Sequence, residues 1–333
     1  MREPLPRARE WARTMHGHGD DVVVAHRDSS ARAEPRPPRR REEREELERL
    51  SLNPAATFAS GPGEREREEE PCEFRTCFER DRDRIVHSAS FRRLAGKTQA
   101  VVHPTDHQRT RLTHAIEVAQ CAVAIARGVG ANLALTDAMA LGHDCGHGPG
   151  GHASEDAFDA FLPEGYDHGP WGADVVLRGL NLTAQTLDGI RNHSWSRPAP
   201  TTLEGEIVSW ADRIAYCAHD FEDAVAAGIV TTDELPSAVA DVAGTARRIQ
   251  LARFIGAVID TTMTTGVVGM DPMTAGALGE LRRFNYERIY TRPESVAQSV
   301  TVVKVLQGLV DYFLGHPGEL PAEYRTEDAV RYS

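Results

Sequence analysis

The stretch TTLEGEIVSWADRIAYCAHDFEDAVAAG, residues 201–228, decides the fold class. Ile207, Trp210, Ala211, Ile214 and Ala218 recur three or four apart, one apolar stripe of a long helix that Gly228 is suited to stop. Asp212 lies close to that stripe, where a carboxylate sits either at the exposed border or against a cationic partner. A second such helix runs through LTHAIEVAQCAVAIARGVG (112–130), with Ile116, Ala119, Val123 and Ala126 as its stripe and Gly128 and Gly130 at its end. A third is SVAQSVTVVKVLQGLVDYFLGHP (295–317). Thr136 and Ser154 are expected to cap two shorter helices, in TDAMALGHD and SEDAFDAFL. The strand candidates GIVTT (228–232) and TQAVVHP (98–104) have no partner with clear alternation. The chain is expected to be all-α.

Bulk properties narrow the class. A chain of 333 residues, 41% hydrophobic and 26% charged, can bury a substantial core. Five cysteines, odd in number and irregularly spaced, argue for a reducing compartment, and no second pair completes a zinc site with Cys72 and Cys77. No apolar run reaches membrane-spanning length and the N-terminus lacks a signal-peptide pattern, so cytoplasmic residence and no membrane partner are expected. A net charge of -12 disfavours general nucleic-acid binding but leaves room for a local basic pocket. The first 40 or so residues, with PRPPRRR, lack periodicity; REEREELERLSL (41–52) predicts a charged helix bearing Leu47, Leu50 and Leu52. ASGPGEREREEE (59–70) predicts a linker. The expected boundaries are a flexible tail and linker over 1–70, a core over 71–240 and a helical extension packed on it over 241–333.

The chemistry gathers in LGHDCGHGPGGHASED (141–156), which holds three histidines, two aspartates and a glutamate. So many ionisable groups are costly to bury unless something compensates them, and a bound cation is the simplest compensation. His143 and Asp144 are adjacent, His114 opens the preceding long helix, and Asp212 lies in the following one. Ligands from separate elements are what a divalent ion needs for fixed geometry. Cys145, beside them, reads as a small buried residue rather than a nucleophile.

The order His114, His143-Asp144, Asp212 resembles that of the HD-domain metal-dependent phosphohydrolases. The stretches EEEPCEFRTCFERDRDRIVHSASFRRLAGKTQAVV, DHQRTRLTHAIEVAQ, ALGHDCGHGPGGHASE and LNLTAQTLDGI, with the 202–229 segment, resemble bacterial deoxyguanosine-triphosphate triphosphohydrolase-like proteins. The likeness is strong over about 40–240 and looser beyond. It implies an HD-domain helical bundle with additional C-terminal helices. It implies that His114, His143, Asp144 and Asp212 bind a divalent metal (Mg, Mn, Fe, Co, Ni or Zn), that His152 and Glu155 form the catalytic pair, and that His147 is a second active-site histidine. Arg111 resembles the phosphate-gripping arginine; His168, Tyr216, Asp220 and Gln99 resemble pocket residues, and Arg213 is placed to reach a phosphate. The implied substrate is a deoxynucleoside triphosphate, cut at the α-phosphorus to deoxynucleoside and inorganic triphosphate. A homo-oligomer, often a hexamer, is implied as well, and an allosteric nucleotide is left open.

Three positions depart from that pattern: Gly150 stands where an aromatic is usual, Trp171 where Gln is common and Asp174 where Arg is common. The first predicts a more mobile loop beside His152. Arg92 and Arg93 fit ion pairs or an interface as well as a phosphate, and His193 is expected at the surface. Two other readings stay open here: a nucleotidase or phosphodiesterase of the same fold, and a nucleotide-binding regulatory protein with weak turnover.

Overall fold

The computed structural model describes residues 5–13, 16–99, 108–322 and 325. Contacts divide the chain after Arg39 into two units. The smaller contains helix α1 (Pro6–Arg13) and an antiparallel bridge between His18 and Val24. The larger is built from α2 (Arg41–Ser51), α3 (Cys77–His87), α4 (Ala89–Arg93), α5 (Arg111–Val129), α6 (Leu133–Gly142), α7 (His152–Asp159) and α8 (His168–Trp171). It continues through α9 (Ala184–Asn192), α10 (Leu203–Ala226), α11 (Ser237–Ala243), α12 (Arg247–Thr265), α13 (Pro272–Asn285) and α14 (Pro293–Gly315). Among the described residues backbone pairing outside helices is limited to isolated bridges, so the chain is all-α. GIVTT forms a turn leading into a 3-10 segment instead of a strand, with Thr231 and Glu234 capping each other. Most of TQAVVHP, with His103 and His107, lies outside the described residues.

The centre of the larger unit is α5 packed on α10 and on α6. The buried faces of α5 (Ala115, Val118, Ala119, Ala122, Ile125) and α10 (Ile207, Ala211, Ile214, Ala215, Ala218) are rich in alanine. Small side chains shorten the distance between helix axes. The α5 stripe is rotated from the expected one: Ile116 is exposed and Ala115 is buried. Gly130, in the left-handed region at φ 82°, ends α5 as its position suggested. Two caps differ. Asn132 caps α6, accepting from Ala134 and Leu135, while Thr136 is inside the helix with its hydroxyl on the Asn132 carbonyl. Ser154 likewise sits inside α7 and donates to the Gly151 carbonyl. In both, a residue a few positions earlier starts the helix and the hydroxyl bonds back to it. The helices α12 and α13 pack on α10, and α14 packs on α7.

The expected start of the folded body at residue 71 is too late, because residues 40–70 are tied in mainly by charge, with Ala59 buried in the core. Leu47 and Leu50 of α2 are exposed, whereas Arg41 and Glu45 are buried and joined at 2.7 Å. Glu48 accepts from Ala59 N–H at 2.8 Å, and Glu204 of α10 accepts from the N–H of Thr57 (3.1 Å) and of Asn132 (2.8 Å). Arg65, within the supposed linker, donates to Asp81 at 2.6 Å with both side chains almost fully buried. The second Asp81 oxygen accepts from Thr183 N–H at 2.9 Å and from the Thr183 and Thr186 hydroxyls at 2.6 and 2.8 Å. A composition full of Arg and Glu reads as solvated in sequence, and only the fold reveals which of those charges have buried partners. Removing Asp81 leaves the buried Arg65 with the more exposed Glu69, 2.9 Å from its Nε, and strips the Thr183 and Thr186 donors of their acceptor. Asp81→Ala is therefore expected to lower unfolding stability by about 3–5 kcal/mol in denaturant titration. A loss below about 1 kcal/mol, the worth of an exposed pair, contradicts this anchoring.

Candidate active site

Three packed helices deliver four donors to one place. His114 is in the first turn of α5, His143 and Asp144 follow the end of α6, and Asp212 is midway along α10. His114 Nε2 lies 3.0 Å from Asp212 Oδ1 and 3.9 Å from Asp144 Oδ2; His143 Nε2 lies 3.7 Å from Asp212 Oδ1 and 3.5 Å from Asp144 Oδ1. His143 Nδ1 donates to the Ala140 carbonyl at 2.6 Å, which fixes the tautomer and turns the Nε2 lone pair inward. That Nε2 is buried with no hydrogen-bond partner. Burial resists ionisation of Asp144, but Arg111 and His143 outweigh it and hold the carboxyl well below its usual range. Asp212 is also lowered: burial opposes ionisation, but the His114 hydrogen bond and the charges of His143, His114 and His193 together outweigh it. Two fixed negative charges and an orphaned imidazole nitrogen fit a divalent ion. His114, His143 and Asp212 are near enough to share one.

Beside this cluster the histidines are arranged differently from the expected pair. Glu155 Oε1 accepts from His168 Nδ1 at 2.5 Å, and no hydrogen bond joins Glu155 to His152. His152 and Glu155 are three apart on α7, yet α8 brings His168 within closer reach of the carboxylate. His152 opens into the cavity, its ring edge-on to that of His147 at 5.0 Å. Desolvation by the surrounding cavity wall, then the Arg111 field, lowers its pKa to about 4, although the side chain itself is open to the cavity. His147 is buried, stacked on His168 at 3.7 Å, with Nε2 3.1 Å from Asp144 Oδ1. His193, expected at the surface, is buried: Nδ1 donates to the Ile190 carbonyl at 2.8 Å and Nε2 lies 3.0 Å from His168 Nε2. Its place in IRNHS gives no spacing signal, because the turn after α9 alone directs it inward.

These groups border a cavity of about 540 Å³. Arg111 gives one Nη to Asp144 Oδ2 at 2.8 Å and keeps Nε and the other Nη buried without partners. Gly151, at φ +61°, lets the loop close over this guanidinium; a Cβ there would stand 3.0 Å from Arg111 Nη2 and 2.9 Å from the Thr98 carbonyl. Gln99 reaches the cavity with its Oε1 unpartnered. Arg213 lies 3.4 Å over the Trp195 ring, and Tyr216 accepts from Arg282 at 2.8 Å. Asp220 accepts from the Tyr290 hydroxyl at 2.6 Å, and burial raises its pKa to about 6. Trp195, Arg282, Tyr290, Ser295 and Ser299 also line the cavity and escaped the sequence reading. The last four lie beyond residue 240, where the motifs are looser. The Cys145 thiol, beside the site, is pushed up to about 12 by burial and stays inert.

The Gly150 departure has a structural counterpart. A Cβ at Gly150 would lie 2.4 Å from Val302 Cγ1, so α14 fills the room an aromatic ring would need. The loop is braced from outside, contrary to the expected gain in mobility. Asp174 is paired with Arg191 at the surface.

Residues 111–217 match the HD domain family model, and residues 268–331 match the phosphohydrolase-associated domain model. The chain is 40% identical over 291 residues to the deoxyguanosinetriphosphate triphosphohydrolase-like protein of Caldanaerobacter subterraneus subsp. tengcongensis, covering 85% of this chain and 86% of the relative. It is 37% identical over 300 residues to the protein of that name from Clostridium perfringens (strain SM101 / Type A), covering 86% and 88%. For the one from Desulfatibacillum aliphaticivorans the identity is 39% over 298 residues, covering 83% and 84%. With that coverage, and an HD-domain match that contains His114, His143, Asp144 and Asp212, the chain belongs to the deoxyguanosinetriphosphate triphosphohydrolase-like family of HD-domain phosphohydrolases.

Proposed function

We propose that this metal-dependent phosphohydrolase acts on deoxynucleoside triphosphates, cutting at the α-phosphorus to release deoxynucleoside and inorganic triphosphate. The observation that carries the reading is the divided guanidinium of Arg111. One nitrogen is spent on Asp144 and two stay buried without partners in a residue that lines the cavity, so an oxyanion gripped there lies beside the His/Asp cluster. Arg213 and Arg282 supply further positive charge on the cavity wall, which suits a polyphosphate. The names of the relatives favour the same substrate class.

In this reading His114, His143, Asp144 and Asp212 hold the divalent ion. When bound, such an ion neutralises phosphoryl charge and acidifies water. Arg111 does two things: it keeps Asp144 ionised and it orients the phosphate. His152 handles the proton of the departing 5′-oxygen. In the free protein the cavity wall and Arg111 disfavour its charge; an arriving polyphosphate offsets the Arg111 field and favours protonation of the imidazole. Water then adds to phosphorus, the bond to the 5′-oxygen breaks, that oxygen takes the His152 proton, and the proton lost by water replaces it. Glu155 orients His168, which stacks on His147 behind Asp144. Tyr216, Asp220 and Gln99 are assigned to the sugar end. Homo-oligomer formation belongs to the same proposal, and the exposed Val300, Val305, Leu309 and Leu314 of α14 are in keeping with it.

Incubation with each deoxynucleoside triphosphate, singly and mixed, with Mn or Mg, is expected to yield deoxynucleoside and intact triphosphate, with none from Asp144→Ala. Release of monophosphate or pyrophosphate means that a bond other than the one from the α-phosphorus to the 5′-oxygen is cut and ends this reading. Saturable binding with no turnover in any mixture favours the regulatory alternative instead. His152→Gln is expected to lower kcat by about 10²–10⁴-fold, the usual worth of general acid catalysis, with KM little changed. A change confined to KM removes His152 from the proton transfer.

A further inference from the structure

Arg41, Arg65, Arg109 and Arg111 are each held by a carboxylate. Arg213 is not. Among the described residues no carboxylate pairs with it, and its Nε is buried without a hydrogen-bond partner. Its Cζ lies instead 3.4 Å from the centre of the Trp195 ring. An aromatic face attracts a cation through its quadrupole and holds the guanidinium flat without cancelling its charge. Stacking also leaves the N–H donors unspent, because they lie at the edge of the guanidinium plane. A carboxylate would fix the same side chain but take up the charge and donors that an arriving oxyanion needs.

The indole is itself fixed from several sides. Trp195 stands in the turn after α9, which the Arg197 N–H closes on the Ser194 carbonyl at 3.0 Å. Its Nε1 donates to the Ser209 carbonyl at 3.1 Å, and its ring meets Trp210 edge-on at 4.8 Å. Ser209 and Trp210 precede Arg213 by four and three residues, so all three contacts come from one face of α10. With 47% of its surface exposed Trp195 adds little to the core, and the face it covers is turned on the arginine. Trp195, Arg213 and Arg282 border the same cavity as Arg111 and Asp144. We propose that Trp195 is a positioning residue: its indole face holds Arg213, charge and donors intact, ready for the phosphate chain of the substrate. This role rests on the polyphosphate substrate proposed above, because Arg213 needs an oxyanion to grip. Without the ring, each binding event would have to order a long flexible side chain first.

Two measurements on the full-length protein test this: steady-state kinetics on a deoxynucleoside triphosphate, and calorimetric binding of inorganic tripolyphosphate in the same Mg-containing buffer. Trp195→Leu keeps apolar bulk but has no π-face. It is expected to raise KM and the tripolyphosphate Kd by about 3–30-fold, with kcat changing little. Trp195→Phe keeps a ring face and is expected to recover most of that loss. In an Arg213→Ala background Trp195→Leu is expected to add less than about twofold, because the side chain it positions is gone. Equal losses from Leu and Phe, or an undiminished further loss without Arg213, assign Trp195 to packing and overturn the proposal. Turnover and tripolyphosphate binding that Trp195→Leu leaves unmoved overturn it too, while the triphosphate substrate stands. Wild-type protein that binds neither tripolyphosphate nor a deoxynucleoside triphosphate ends the polyphosphate reading itself, and the role of Trp195 with it.

Discussion

The site depends on one buried ion pair, Arg111 with Asp144, both about 2% exposed and 2.8 Å apart. A carboxylate so buried stays ionised only if a cation and hydrogen-bond donors compensate it. Arg111 supplies that compensation from the first turn of α5, one turn before His114. The pair therefore fixes the start of α5 against the end of α6. It also sets Asp144 in the midst of the histidines, where its two oxygens face different neighbours. Without Arg111 the negative charge would be uncompensated until an ion arrived; without Asp144 the guanidinium would point a full positive charge at neutral imidazoles. Each group is placed by the other's charge.

The long helices were legible because they obey periodicity, and the metal-capable residues because they crowd one short stretch and follow the order of the family they resemble. A stripe at helical spacing predicts α5 and α10, and a carboxylate near such a stripe, Asp212, allows either a place at its exposed border or a cationic partner. What the sequence does not carry is partner choice. Glu155 lies three residues from His152 and pairs instead with His168, because the position of α8 decides which imidazole it reaches. His193 has no spacing rule to reveal it, and the turn after α9 puts it beside His168. Arg65 and Glu48 sit in charge-rich stretches indistinguishable from solvated tail until Asp81 and Asn132 appear opposite them. Ile116 shows the finer limit: the expected stripe includes the buried Ala119 and Ala126 but places the exposed Ile116 where Ala115 is buried.

Departures from the family pattern are met by contacts with other parts of the chain. Gly150 leaves a notch beside the active-site loop, and Val302 of α14 occupies it. The same helix contributes Ser295 and Ser299 to the cavity wall. A residue that looks like a loss within one motif is thus part of a contact between two distant segments. Asp174 meets Arg191 in the same manner, one charge opposite another at the surface.

The central claim is that His114, His143, Asp144 and Asp212 act as one set of metal ligands with Arg111 alongside. Anomalous diffraction from crystals equilibrated with Zn(II) tests it directly. The account predicts a peak with nitrogen and oxygen donors of those four side chains at about 2.0–2.2 Å, and with Arg111 still on Asp144. A peak that engages other side chains and leaves His143 Nε2 without a ligand contradicts it.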